Sequence, residues 1–228
     1  MNMKKIMKQP LAFFGSIFLI TTLLLVGVLF YQVKGITAGE KSSDNVIKPT
    51  PSIVEKVQDE YQLSDVATDY QKEVFEELVT AQDAYKAKDT ELTKEEYATL
   101  VVKNFIADFY TLSNKTGRND VGGIQFIAQE MKSTFRKQAI DRFYENLDFY
   151  LNDYEAASLI TVNDVTILDV NLNDTLETED EVIDCISVEA SWEYELSSSF
   201  EVEPFQREAT FILTESEDHL VLNAILSE

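Results

Sequence analysis

Metal and nucleophile chemistry have little to draw on in this chain. Cysteine, histidine and tryptophan each occur once in 228 residues, as Cys185, His219 and Trp192. A single cysteine excludes an intrachain disulfide and a thiolate metal cluster built by this chain alone. A lone thiol on a half-buried strand is ordinarily inert packing. With one histidine at a strand start, no Ser/His/Asp set can be assembled. Basic residues are also scarce, 19 against 41 acidic ones. Lys4, Lys5 and Lys8 come before the first apolar run, and every acid comes after it. Beyond that run 16 basic residues face 41 acidic ones, a net charge of −25. Such a surface repels nucleic acid and anionic headgroups, so nucleic acid is not expected as a partner. A charged partner should be basic, although acidity also serves simple solubility.

What is abundant comes first in one place. Leu11 to Val33 reads LAFFGSIFLITTLLLVGVLFYQV, without a charged side chain in 23 positions. At about 1.5 Å per residue it spans roughly 34 Å as a helix, enough for a hydrocarbon core of about 30 Å. In lipid the backbone must satisfy itself, which predicts a transmembrane helix over residues 11–33. Residues 1–10 form a short cytoplasmic leader. Lys34, Lys41 and Lys48 nearly balance its charge, so orientation rests on the export-signal pattern of a basic start and an apolar run. The expected arrangement is a single-pass signal-anchor in the cell membrane, contacting the bilayer through residues 11–33, with an extracytoplasmic C-terminal domain. Ile36-Thr37-Ala38 before Gly39 offers a cleavage site, but the apolar run is longer than a signal-peptide core. No cysteine lies close behind the run, which excludes a lipoprotein anchor.

Residues 34–63, with Gly35, Gly39, Ser42, Ser43, Pro49 and Pro51, read as a tether. Residues 64–90 read as an amphipathic stalk helix capped by Ser64. Its apolar stripe is Val66, Tyr70, Val74, Leu78, Ala81 and Tyr85. The stripe suits packing within the chain, or less readily pairing with a second copy, since it spans only about three heptads.

Residues 93–228 read as an extracytoplasmic α+β domain. Thr93 to Glu96 has the form of a capping box. Behind it, Tyr97, Leu100, Val101, Phe105, Phe109 and Leu112 make a helical stripe. After the loop Ser113 to Gly123, a helix is predicted over Lys132 to Tyr154, with Phe135, Ala139, Phe143, Leu147, Tyr150 or Leu151, and Tyr154 inward. Beyond Ala157 the period changes to two. Thr161 to Leu172 places Leu168, Val170 and Leu172 on one face. Val182 to Leu196 turns Ile186, Val188, Ala190, Trp192 and Tyr194 one way and Cys185, Ser187, Glu189, Ser191, Glu193 and Glu195 the other. Glu201 to Thr214 and His219 to Leu226 complete four strands. One wet face and one dry face predict an antiparallel sheet with helices on one side.

Long aromatic helices, then four curved antiparallel strands ending in ESEDHLVLNAI, make residues 93–228 resemble the nuclear transport factor 2-like (cystatin-like cone) fold. With a membrane anchor and tether in front, the chain resembles the bitopic scaffold subunit of type IV secretion and conjugative transfer systems. The Asn-Pro-x-Gly turn often seen in that subunit is absent, and no functional residue is carried over. The resemblance implies homo-oligomerisation and contact with other subunits of a cell-envelope complex.

No catalytic, cofactor-binding or metal residue is assigned, and the chain reads as a protein–protein interaction module and not an enzyme. His219 adjoins Asp218, but neighbouring strand residues point to opposite faces. Asp169, Asn171, Asn173 and Asp180 partly fit a calcium loop, with Asp174 where glycine is needed and Asp in place of the last Glu. Glu177, Glu179, Asp180 and Glu181 suit a solvated hairpin tip. Gly122-Gly123 lacks the lysine of a phosphate loop. Asn114-Lys115-Thr116 and Asn173-Asp174-Thr175 fit glycosylation sequons. The alternative function is a cone-fold domain that binds a small apolar ligand or acts as an enzyme, its pocket lined by Trp192, Tyr194, Phe105 and Phe109.

Overall fold

The structure, a computed structural model, describes residues 61–88, 91–177, 181–195, 199–202 and 204–227. The leader, the apolar run at 11–33 and the tether up to residue 60 lie outside the described residues. Among the described residues, no helix is long and apolar enough to cross a membrane. The fold described below belongs to one compact unit, Val57–Leu176 with Asp184–Glu228.

The protein is α+β. Among the described residues four helices come first, α1 (Asp69–Lys86), α2 (Glu91–Phe109), α3 (Lys132–Asp141) and α4 (Leu147–Asp153). Four strands follow, β1 (Val162–Glu177), β2 (Val182–Tyr194), β3 (Glu208–Ser216) and β4 (His219–Leu226). They form one sheet in the order β1-β2-β3-β4. β2 runs antiparallel to β3, and β3 to β4.

α1 starts four residues later than its Ser64 signal suggested. Thr68 is the N-cap, its hydroxyl accepting from the Gln71 amide at 3.2 Å while the Gln71 side chain accepts from the Thr68 amide at 2.8 Å. This reciprocal pair satisfies two amides that the helix leaves open. Val66 therefore falls outside the helix and is 60 % exposed. The rest of the stripe packs on α2, with Val74, Leu78 and Ala81 buried and Tyr70 and Tyr85 half-buried against the core. α2 begins at Glu91, so Thr93 sits inside its first turn and is not a cap.

The helix expected over Lys132–Tyr154 is two helices. Arg142 leaves helical geometry at φ −129°, ψ −84°, and a wide turn joins the Tyr144 amide to the Ala139 carbonyl. The turn has a packing reason. Phe143 and Tyr144 are adjacent, about 100° apart on a continuous helix. Both face inward here: Phe143 lies on Phe109 and Tyr110, and Tyr144 is fully buried.

The sheet's dry face carries Ile186, Val188, Ala190, Trp192 and Tyr194 from β2, Ala209, Phe211 and Leu213 from β3, and Leu220 and Leu222 from β4, all buried. β1 departs from strict alternation. Ile167, Val170 and Leu172 pack on the core, whereas Leu168 is 48 % exposed. The burial pattern changes phase between Ile167 and Val170, and Leu168 is exposed, opposite to the face expected for it. β3 starts at Glu208 and not Glu201, because the preceding segment buries Phe200 and Val202 in an irregular loop.

Candidate interaction surface

The interior is the natural place for a ligand pocket, and aromatic rings occupy it. α2 supplies Phe105 and Phe109, stacked 5.2 Å apart; Phe109 also stacks on Phe143 at 5.2 Å. Trp192 from β2 lies 4.4 Å from Tyr110, and Tyr194 adjoins Phe205. Phe105, Phe109, Trp192 and Tyr194 are each at most 5 % exposed. Their polar ends bond to one another and to the chain. The Trp192 indole donates to the Tyr194 hydroxyl at 2.9 Å, which donates to the Gln206 carbonyl at 2.7 Å. Burial raises the phenol pKa of Tyr110 and Tyr194 above its ordinary value. These hydroxyls stay neutral and structural.

The loop after α2 is held just as firmly. Lys115, 7 % exposed, pairs with Asp108 at 2.7 Å, and the other Asp108 oxygen accepts from the Gly123 amide at 2.7 Å. The Tyr144 hydroxyl donates to the Phe109 carbonyl at 2.6 Å and accepts from the Gly122 amide at 3.1 Å. A Cβ at Gly122 would stand 2.3 Å from the Asp108 carbonyl oxygen, and Gly123 has φ +72°. Glycine is required here by close backbone approach and a left-handed turn, not by phosphate binding. The Asn114 side-chain amide donates to Gln71 at 2.9 Å, so a glycan there would break that bond. This network had no sequence signal, since its partners lie 7 to 43 residues apart.

The chain enters the domain through a second clasp. The Gln62 amide donates to the Gln125 side chain at 2.8 Å, which donates back to the Gln62 carbonyl at 2.9 Å. The Tyr61 hydroxyl meets that of Tyr97 at 2.7 Å, and its ring leans on Phe126. His219 opens β4, opposite Ser216 across a two-residue turn, with its ring edge-on to Tyr61 at 5.9 Å. Asp218 lies in that turn. A cleft between Gln62, Gln71, Phe75, Asn104 and Asp108 holds only about 20 Å³.

Asp169, Asn171 and Asn173 lie along the extended strand β1 and do not form a calcium-type loop; Asp180 lies outside the described residues. Among the described residues, no group of three or more His, Cys, Asp or Glu is placed to hold a metal ion. Cys185 is buried on β2, and desolvation raises its thiol pKa.

The surface of the sheet half is distinctive in its charge. From Phe143 to the end of the chain there are 22 acidic residues and one basic residue, Arg207. The other 15 basic residues beyond the apolar run lie between Lys34 and Arg142, among 19 acids. Nearly all the net charge therefore belongs to the part that builds α4 and the sheet. The sheet's two edges also differ. At β4 the Ala128 amide donates to the Leu222 carbonyl at 2.9 Å, so part of that edge is covered. At β1 the Thr111 hydroxyl accepts from the Val162 amide at 3.1 Å. Further along, the Asn173 amide donates to the Asn171 side chain at 3.1 Å and the Thr175 amide to the Asp174 side chain at 2.9 Å.

No family model, no curated protein and no solved structure matches the chain. The surface is therefore read from its own geometry and charge.

Proposed function

We propose that this chain is a membrane-anchored, extracytoplasmic scaffold subunit of a cell-envelope complex, of the conjugative transfer or type IV secretion kind, and that its domain is a variant of the nuclear transport factor 2-like cone. It works by contact and carries no reaction. The observation that supports this most is the filled interior: the four aromatic side chains that would line a cone pocket pack on one another, and their polar atoms bond within the domain. That disfavours the small-ligand alternative, which needs open space and converging free polar groups. The uncharged run at 11–33 supplies the anchor. The acidic body beyond it is the contacting part, toward other envelope subunits or a second copy.

The reading is tested in a host whose conjugative transfer can be measured. Cells lacking the chain should transfer poorly. The full chain should restore transfer, and a chain without residues 11–33 should not, although it is made. Unimpaired transfer without the chain would remove it from such an apparatus. Release of the full chain from membranes by alkaline carbonate would remove the anchor.

A further inference from the structure

We propose that the outer edge of β1, Val170 to Leu176, takes up a lysine- or arginine-rich extended segment of a partner protein as a fifth strand. The inference rests on the contact reading above and names the partner's chemistry. β1 is the first strand of the sheet order, so one of its sides has no strand neighbour. Exposure alternates along its last part: Val170, Leu172 and Leu176 are half-buried while Asn171, Asn173 and Thr175 are exposed. The strand β1 continues through this stretch to Glu177. A strand edge with free amides is a template for another chain, and proteins blunt it with lysine, proline or a covering segment. β1 contains neither lysine nor proline. The amides of Asn173 and Thr175 bond the side chains of Asn171 and Asp174. Such local side-chain acceptors on an exposed strand are easily exchanged for an incoming backbone carbonyl. Asp169, Asp174 and Glu177 lie on β1, and Asp184 and Glu189 on β2, with no basic residue between Arg142 and Arg207. That charge selects a basic strand and opposes pairing with a second copy of the same acidic edge.

The test uses the full chain in non-ionic detergent and a synthetic ten-residue peptide of alternating lysine and valine. Two control peptides carry glutamate for lysine, or N-methyl groups on alternate amides. Binding and amide exchange are followed together. The lysine peptide should bind and slow exchange at Asn173 and Thr175. The glutamate peptide should bind weaker by on the order of a hundredfold, as like-charge juxtaposition requires. The N-methylated peptide, equally basic but unable to pair along its edge, should lose the protection. Asp169→Asn with Asp174→Asn should weaken the lysine peptide without changing the fold seen by circular dichroism. Equal binding of the N-methylated peptide, protection elsewhere, no binding, or concentration-dependent protection of this edge without peptide would each overturn the proposal. The last outcome would assign the edge to a second copy. All of these are separable from the anchor, which carbonate extraction tests by itself.

Discussion

Tyr144→Phe removes one oxygen and leaves the ring in place. Tyr144 is fully buried, and its hydroxyl joins two backbone groups, the Phe109 carbonyl at 2.6 Å and the Gly122 amide at 3.1 Å. Phe109 ends α2, where carbonyls lack helical partners. The amides of Leu112 and Ser113, which follow it, bond Ile160 instead. Phenylalanine would leave a donor and an acceptor unmet in a dry place. An unmet buried group costs about 1–3 kcal/mol, so the pair should cost roughly 3 kcal/mol after partial relaxation. For a domain of this size that is a fall in Tm of about 6–12 °C. Trp192, the only tryptophan, is buried beside Tyr110 and reports unfolding directly. Urea titration followed by its emission should show a lower midpoint at unchanged slope. A loss under about 0.5 kcal/mol would mean that the hydroxyl does not hold loop and helix together, and the reasoning would fail.

The same junction predicts that Gly122→Ala, whose Cβ would meet the Asp108 carbonyl at 2.3 Å, destabilises by about 3 kcal/mol or more, checked by thermal unfolding. Thr68→Ala should cost about 1 kcal/mol by removing the α1 cap, with a fully retained midpoint counting against the capping geometry. Alkali should unfold the protein from pH 10 upward. Burial raises Tyr70 and Tyr85 from 10 to about 12, and Tyr61, Tyr110, Tyr144 and Tyr194 are also raised. The unfolded chain ionises first and holds fewer protons above pH 10. Stability is thus intact below pH 10 and falls as pH rises toward 12 and beyond. A urea midpoint that stays level from pH 9 to 12 would contradict this.

Periodicity made much of the fold legible. The inward set of β2 and the span of β4 are as the alternation indicates, although Cys185, expected on the wet face of β2, is buried. Most of the α1 stripe was legible in the same way. Boundaries were less so. Ser64 and Thr68 both carry a capping side chain, and only Thr68 has a residue three positions on that can reciprocate, Gln71. The break after α3 follows from Tyr144 reaching Phe109 and Gly122, a demand set 35 and 22 residues away. The change of burial phase between Ile167 and Val170 has no turn residue to mark it in the sequence. The acidity of the surface was visible as composition. Its concentration beyond Arg142 is also plain in the sequence, but gained meaning only once those residues formed a sheet with an open edge.

The placement of the domain outside the cytoplasm can be measured with one substitution. Ser133 is exposed in the first turn of α3, and the native Cys185 is buried, so Ser133→Cys adds the accessible thiol to a quiet background. A membrane-impermeant maleimide is added to intact cells, stripped of any outer barrier, that express the full chain. Labelling before lysis is the predicted result. Labelling that appears only after lysis would place the acidic body inside the cell and contradict the proposed role.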